Sequence, residues 1–260
     1  MIAVGERING MFSDVKKAIK ERNPGAIHDL ARRQTEAGAS YLDVNVGPGI
    51  ADQVEAMKWL VSEIQEVSKT PVSIDSQKIE VAKAGLEAAS APALINSCKS
   101  LEVLNEWVDL ALKHNSSLVC LTIDKRGIPQ DIDTRMELAA SIVGTALERG
   151  LEPSRLFIDP ILFPVNVDQK QPSYLLEVCR QITYISDPPP HIICGLSNLS
   201  QGTKERGLIN RAYLTMALPA GLDSAVMDVL DNDLMDAAIT TEMLLNKQIY
   251  SDAFLKAARS

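Results

Sequence analysis

Polar side chains stand at the ends of a series of short apolar runs along this sequence. They are carboxylates, amides, a hydroxyl and a guanidinium, which could bind or react with a ligand in a shared pocket. They are Glu6, Arg7, Asn9, Asp43, Asn45, Asp75, Asn96, Asp159, Ser197, Asn198, Asp228 and Asp231. A single Asp after a strand is most often a helix cap or a loop hydrogen bond, and that interpretation stays open for each residue taken alone. Several carboxylates and amides in one pocket would repel one another or stay unpaired unless a ligand satisfied them. The whole set therefore predicts a polar binding site.

The mixture of Asp and Asn favours an organic ligand over a metal ion. Carboxylates accept hydrogen bonds from amino and ring N–H groups, and amides both donate and accept, so the set suits a flat nitrogen heterocycle. A pterin is such a ring, and two or three charge-assisted contacts of about 1.5–3 kcal/mol each would hold it. His28, His114 and His191 lie on predicted helices or at the start of a strand. The sequence therefore predicts that the site binds no metal.

Eight β-rich apolar runs must position these side chains. The predicted strands are Ile2–Gly5, Tyr41–Val46, Val72–Asp75, Ala93–Asn96, Leu118–Ile123, Leu156–Pro160, Ile192–Ser197 and Ala225–Val229. Longer segments of helical period separate them, and this alternation is typical of repeated βα units around a parallel sheet. A further helix near residues 13–21 is predicted as an insertion after the first strand.

The strict alternation predicts a single (β/α)8 TIM barrel that occupies residues 1–260 as one domain. An open doubly wound sheet usually stops at about five or six strands and often begins with a Gly-rich turn. The first loop here reads Gly-Glu-Arg-Ile-Asn-Gly from Gly5 to Gly10, which is not a dinucleotide-binding motif. In a TIM barrel the carboxyl ends of the strands face the active-site mouth. The polar residues above are therefore expected to meet there.

The composition of the chain excludes some classes of binding partner. The chain is 46% hydrophobic with a net charge of −8, which argues against binding to nucleic acid, because phosphate backbones attract clustered Lys and Arg. No run of residues is apolar and long enough for a membrane span, and the first residues do not read as a signal peptide, so we expect a cytoplasmic protein. The four single cysteines, with no Cys-x-x-Cys pair, are expected to be packed thiols.

Six segments, in register along the chain, resemble the pterin-binding barrel family, and more closely its methyltetrahydrofolate:corrinoid protein methyltransferases. They are Gly5-Glu-Arg-Ile-Asn9, Leu42-Asp-Val-Asn-Val-Gly-Pro48, Ser73-Ile-Asp-Ser76, Ile95-Asn-Ser97, Ile158-Asp-Pro160 and Gly195-Leu-Ser-Asn198. The resemblance runs from residue 1 to about residue 255. One such tripeptide alone is weak support, whereas six in order are strong.

The resemblance implies roles for individual residues. Asp75, Asn96 and Asp159 would hold the pterin of methyltetrahydrofolate, with Asp159 accepting from the 2-amino group and N3. Asn198 would reach N5, the atom that carries the methyl group, so Asn198 and Asp75 are the catalytic candidates. Further folate contacts are implied at Glu6, Gly195, Ser197, Gln201 and Arg206. A solvated loop explains Lys204 and Arg206 equally well.

The implied reaction is transfer of the N5 methyl group between methyltetrahydrofolate and the cobalt of a corrinoid. N5 is a poor leaving group as a neutral tertiary amine, so the transition state needs positive charge or a hydrogen bond there, which Asn198 can supply. The chain lacks the Asp-x-His-x-x-Gly corrinoid motif. The cobalamin-type cofactor is therefore expected on a separate corrinoid protein, such as a corrinoid iron–sulfur protein. The resemblance also implies a homodimer.

Three alternatives remain open at this stage. The same transfer could run toward tetrahydrofolate, from a corrinoid protein methylated by a methylamine or betaine demethylase. A dihydropteroate synthase-like condensation is less favoured, because the loop from Asn9 to Asp14 and the end of the seventh strand lack the patterns of that class. A non-catalytic folate-binding protein would keep Asp75 and Asp159 but would not need Asn198.

Overall fold

A closed barrel of eight parallel strands forms the centre of the computed structural model, which describes residues 1–258. Its strands are β1 (Ile2–Asn9), β2 (Tyr41–Asn45), β3 (Val72–Asp75), β4 (Leu94–Cys98), β5 (Ser117–Leu121), β6 (Leu156–Asp159), β7 (His191–Gly195) and β8 (Ser224–Met227). The barrel closes where β1 pairs with β8, in a register that places Ile2 opposite Ser224. The predicted (β/α)8 fold is confirmed.

Helices surround the barrel and follow its strands. They are α1 (Ser13–Glu21), α2 (Pro24–Glu36), α3 (Gln53–Val67), α4 (Ile79–Ala88), α5 (Leu104–Lys113), α6 (Ile132–Glu148), α7 (Gln171–Ile182), α8 (Leu196–Leu199), α9 (Arg206–Ala217), α10 (Asn232–Leu244) and α11 (Phe254–Ala257). Short 3-10 helices cover Leu101–Val103, Pro153–Arg155 and Leu218–Ala220. Helix α1 is the predicted insertion. No helix in the described part of the chain is long and apolar enough to cross a membrane.

Local sequence explains why a typical outer helix forms and how it docks. Asp52 precedes α3, and its carboxylate accepts a hydrogen bond from the backbone N–H of Glu55 at 3.0 Å, which satisfies one free donor of the first turn. Leu60, Val61 and Ile64 of the same helix are fully buried. Their helical spacing turns one stripe of α3 toward the sheet.

The core has two parts. Most buried apolar side chains lie between the strands and the helices. A smaller cluster fills the inside of the barrel and consists of Val4, Leu94, Val119, Phe157 and Ile193. Each of these five residues comes from a different strand, as expected for a layer of inward-facing side chains in a TIM barrel. This apolar layer closes the floor beneath the mouth.

The structure corrects two strand boundaries at the site: β1 continues beyond the predicted Gly5 to Asn9, and β7 ends earlier than predicted. The seventh strand was predicted to run to Ser197, but β7 ends at Gly195 and the chain enters α8 at Leu196. An apolar run of this length fits a strand or a helical turn equally well, and only the turn after Gly195 separates the two. Asn198 therefore lies on a helical turn above the strand.

Candidate functional site

The alternation of side chains along the strands carries polar groups into the mouth. Val4, Leu94 and Phe157 belong to the apolar floor, and residues two positions later point the same way, one layer closer to the mouth. Those positions hold Glu6, Asn96 and Asp159. On β2 and β3 the same alternation turns Asp43, Asn45 and Asp75 inward, because Leu42, Val44 and Ile74 pack against the outer helices.

Hydrogen bonds connect the polar side chains of β2, β3 and β4. Asn45 donates from Nδ2 to Oδ2 of Asp75 at 2.7 Å, and Asn96 donates from Nδ2 to Oδ1 of Asp43 at 3.1 Å. The Ser73 hydroxyl donates to the same oxygen of Asp43 at 2.6 Å. Asp75 and Asn96 are direct register partners on neighbouring strands. This part of the mouth is therefore ordered by contacts within the protein.

Burial shapes the ionisation of this group. Asp43 is 2% exposed, and burial together with the neighbouring Asp75 charge raises its pKa well above the ordinary range of an Asp. Burial also raises the pKa of Asp75, although hydrogen bonds from Asn45 and Asp43 oppose the rise. Two adjacent carboxyl groups in a low-dielectric site cannot both ionise easily. Asp43, whose pKa is raised further, is the harder of the two to ionise, and Asp75 is the better acceptor.

Asp159 lies across the mouth, at the end of β6. Burial raises its pKa to about 7, although a hydrogen bond from the backbone N–H of Ile161 to Oδ1, at 2.8 Å, acts in the opposite direction. Within residues 1–258 its second oxygen has no hydrogen-bond donor. That oxygen is free to accept from a ligand. We refer to Asp75, Asn96 and Asp159 together as the clamp.

A second polar group links β1 with the turn after β7, on either side of β8. Ser197 donates from its hydroxyl to Oε1 of Glu6 at 2.7 Å, while Arg206 donates from Nη2 to the carbonyl oxygen of Ser197 at 3.2 Å. Arg206 also donates from Nε to the Ser200 hydroxyl at 3.2 Å. Burial raises the pKa of Glu6, and the nearby Asp228 charge adds to the effect. These contacts fix both ends of Ser197 and hence the start of α8.

Asn198 follows Ser197 and differs from the clamp residues in its surroundings. Its side chain is exposed and makes no hydrogen bond within the described part of the chain. The amide folds back over the end of β7, because a Cβ atom added to Gly195 would lie 2.8 Å from Nδ2 of Asn198. Gly195 thus leaves room for this amide. Gln201, two residues beyond α8, is also exposed.

Two glycines explain the packing of the loops beside the clamp. The backbone N–H of Gly10 donates to the carbonyl oxygen of Asn45 at 2.8 Å. A Cβ atom on Gly10 would collide with the Val46 carbonyl, and one on Gly47, which has φ of +75°, would lie 2.5 Å from the Gly10 carbonyl carbon. The β1–α1 and β2–α3 loops can therefore cross in contact only with glycine at both positions.

Two clefts open from the mouth on either side of Met11. One has a volume of about 390 Å³ and is lined by Glu6, Phe12 and Arg206, among others. The other, of about 360 Å³, reaches Asp75 and Lys78. These volumes fall in the range of small-molecule sites, and both clefts are contiguous with clamp or α8 residues. The arrangement can hold a flat ring with N–H donors and leave space for attached groups.

The site contains two residues whose importance the sequence did not reveal. Asp43 and Asn45 appear in the polar set, but the pattern gave neither a role. Their positions at i and i+2 of one strand were the available signal, since both must face the barrel interior. The predicted residues Glu6, Ser197 and Arg206 come together in one hydrogen-bonded group. Asp75, Asn96 and Asp159 line the same mouth.

The pocket is rich in hydrogen-bond acceptors and lies at the carboxyl ends of the strands of a (β/α)8 barrel. This arrangement is typical of TIM-barrel proteins that bind a ligand in the mouth of the barrel. Residues 5–228 match the family described as pterin binding enzyme. The chain belongs to the pterin-binding enzyme family.

Named relatives agree with this assignment. The chain is 36% identical over 268 residues to the methylcorrinoid:tetrahydrofolate methyltransferase of Eubacterium limosum, with 100% of this chain and 96% of that protein covered. It is 28% identical over 241 residues to the methionine synthase of Mycobacterium leprae, where the match covers 87% of this chain but only 20% of that larger protein.

Solved structures share the fold. A dihydropteroate synthase from Yersinia pestis superposes with a TM-score of 0.66 at 16% identity, over 85% of this chain and 90% of that one. A dihydropteroate synthetase solved with a product gives a TM-score of 0.68 at 15% identity, over 94% of each chain. At this level of identity the similarity establishes the barrel architecture.

Proposed function

We propose that this protein is a methyltransferase that moves the N5 methyl group between methyltetrahydrofolate and the cobalt of a separate corrinoid protein. One observation carries the proposal. The clamp, which is rich in hydrogen-bond acceptors, lies in the same barrel mouth as the exposed amide of Asn198, which makes no hydrogen bond to another group within residues 1–258. The full-length similarity to a methylcorrinoid:tetrahydrofolate methyltransferase supports the same reaction.

The clamp suits the donor edge of a pterin. Asp159 presents a free carboxylate oxygen, which accepts from the 2-amino group and N3 of the ring. Asp75 and Asn96, which are neighbours in register, accept from further N–H groups of the pterin. Each contact between an N–H donor and a desolvated carboxylate contributes about 1.5–3 kcal/mol. Together they fix the plane of the ring.

Asn198 provides the group that acts at N5. Its amide has no competing partner in the described chain, so it can donate to or accept from N5 as the proton on that atom comes or goes. A hydrogen bond that strengthens as N5 becomes a leaving group lowers the barrier to methyl transfer. Asp75 assists by holding the ring in register with this amide.

The direction of transfer is toward tetrahydrofolate. The E. limosum relative is named with methylcorrinoid as one substrate and tetrahydrofolate as the other, and it aligns with this chain over its whole length. Because the same transition state serves both directions, the enzyme also catalyses the reverse transfer. The relative concentrations of the two methylated species set the net flux.

The proposal includes the setting in which the protein works. The corrinoid arrives on a separate protein, which approaches the open mouth, and an iron–sulfur corrinoid protein is one such partner.

We further propose that residues 1–260 act as one domain and that two copies form a homodimer. The exposed Leu208 and Met216 of α9 supply apolar surface for the dimer contact. A cytoplasmic location fits the free, buried state of the cysteines.

The experiment follows the cobalt spectrum. Purified protein is mixed with methylcobalamin and tetrahydrofolate, or with methyltetrahydrofolate and Co(I) cobalamin, and the visible spectrum is recorded with time. We expect interconversion of methyl-cobalt and Co(I) that requires both folate and enzyme. Tight folate binding without any spectral change, even with corrinoid proteins as substrates, would place the protein among non-catalytic folate binders.

A further inference from the structure

Strand β2 contributes no clamp residue, yet two of its side chains contact the clamp from below. Asp43 accepts from Nδ2 of Asn96 at 3.1 Å, and Asn45 donates to Oδ2 of Asp75 at 2.7 Å. With 2% exposure, Asp43 cannot be reached by a ligand in the mouth. Any effect that Asp43 has on ligand binding must therefore pass through its neighbours.

The contact between Asp43 and Asn96 fixes the orientation of an amide. An amide has a donor end and an acceptor end, and only the donor end can face a carboxyl oxygen. Because Nδ2 of Asn96 is turned down toward Asp43, its Oδ1 is turned away, and that oxygen has no hydrogen bond within residues 1–258. Asn96 thus presents an acceptor to the mouth.

Asp43 also contacts the second clamp residue. Asp43 neighbours Asp75, and its carboxyl lowers the pKa of Asp75 against the effect of burial. A protonated Asp43 carboxyl would donate to Asp75, and burial favours that form by raising the pKa of Asp43. Asp43 accepts from Ser73 at 2.6 Å and from Asn96 through its Oδ1. One neutral carboxylic acid can satisfy all three neighbours.

We propose that Asp43 is a positioning residue that sets the polarity of the clamp: it turns Asn96 and holds Asp75 so that both offer only acceptors to the ring. This inference rests on the proposed function, since it assigns the ligand as the donor edge of a folate pterin. It extends that function by naming the buried group that makes the clamp select a ligand edge with N–H donors. Asn45 has a parallel role on Asp75, with its own Oδ1 fixed by the Gly47 N–H at 2.6 Å.

Two substitutions of Asp43 give opposite expectations. Asp43→Asn keeps a donor for Asp75 and an acceptor for Ser73 and Asn96, so tetrahydrofolate should bind within about threefold of wild type. Asp43→Ala removes both functions and frees the Asn96 amide to turn, so the Kd should rise at least about tenfold. Binding is measured by titration calorimetry with tetrahydrofolate. Asp29→Ala on the exposed face of α2 is the matched control, and its Kd should not change.

A double-mutant cycle separates positioning from general loss of structure. If Asp43 acts partly through Asn96, then Asp43→Ala should weaken binding several-fold less in an Asn96→Ala background than in wild type. The maximal rate at saturating tetrahydrofolate should fall less than the affinity, because Asp43 makes no hydrogen bond to Asn198 within residues 1–258. If Asp43→Ala does not fold, Asp43→Ser replaces it. The Ser side chain keeps a hydroxyl for Ser73 but cannot reach both Asn96 and Asp75.

Either of two results would overturn this inference. If Asp43→Asn binds as weakly as Asp43→Ala, the neutral acid is not the working form and the polarity argument fails. If Asp43→Ala, or Asp43→Ser in its place, binds like wild type, Asp43 has no role in recognition. Failure of the proposed function would look different: wild-type protein would not bind tetrahydrofolate, or would bind it and transfer no methyl group.

Discussion

The two sides of the barrel mouth hold their polar side chains in different ways. On the side formed by β2, β3 and β4, Asn45 is hydrogen-bonded to Asp75, and Asn96 is hydrogen-bonded to Asp43. On the β7 side, Asn198 is exposed on a helical turn, and its amide is unoccupied within residues 1–258. The ordered side is suited to recognition at low entropic cost, whereas the open side leaves a group free to respond to charge that develops during the reaction.

This contrast assigns ligand binding to one side of the mouth and the rate of methyl transfer to the other. A preformed site spends little free energy on ordering side chains when the ligand binds, so its residues should control Kd. A residue that interacts more strongly in the transition state than in the ground state should control kcat. Substitutions on the two sides should therefore affect different kinetic constants.

The largest expected effect comes from Asn198→Ala. Loss of a single group that stabilises developing charge slows a reaction by about 100- to 1000-fold, and we expect this decrease in kcat for methyl transfer. The tetrahydrofolate Kd should stay within about threefold of wild type, because the clamp is intact. Stopped-flow spectroscopy of methyl-cobalt gives the rate, and calorimetry gives the Kd. A weakened Kd with an unchanged kcat would reverse the assignment of the two sides.

Asp159→Asn should have the largest effect on the clamp side. The change places an N–H donor where the ligand also donates and removes a charge-assisted contact, so the Kd for tetrahydrofolate should rise about 10- to 100-fold. The rate at saturating folate should fall much less. Asp29→Asn, on the outer face of α2, makes the same chemical change away from the mouth and serves as the control. Equal losses in kcat and affinity would show that Asp159 also acts in the transition state.

Gly195→Ala should produce a smaller, selective loss on the β7 side. The added Cβ would lie 2.8 Å from Nδ2 of Asn198 and would displace the amide. We expect kcat to fall about tenfold while folate affinity is retained, since a small misplacement of a reacting group is costly. Gly144→Ala on α6, where a Cβ meets nothing within 4 Å, is the matched control. An unchanged kcat for Gly195→Ala would mean that Asn198 acts from another position.

The smallest expected effect is a pH dependence of binding. The pKa of Asp159 is raised to about 7, so the carboxylate needed to accept from the pterin is lost as the pH falls through that value. Tetrahydrofolate affinity should decrease about fivefold between pH 7 and pH 6 and approach a constant value above pH 8. Asp159→Asn should remove this dependence. A wild-type affinity that rises as the pH falls would contradict the sign of the effect.

Several features of the site followed from sequence alone because they are local. Asp75, Asn96 and Asp159 each end a β-rich run, and strand alternation together with the barrel fold is enough to direct them to one mouth. The predicted helix after β1 and the eight strands followed from the same periodicities. The folate contact that the family resemblance implies for Gly195 stays a prediction, and the fold adds that Gly195 leaves room for the Asn198 amide.

Tertiary structure alone decided how these side chains are held. Asp43 contacts Asn96 across 53 positions of sequence, and Glu6 contacts Ser197 across 191. A single sequence contains no distance information at such separations, so it could not show that Asp43 lies beneath the clamp or that Arg206 binds the Ser197 carbonyl. The sequence by itself determined which polar residues enter the mouth, through the period of its strands. Barrel closure, which sets the register between strands, decided which of them are locked together and which remains free.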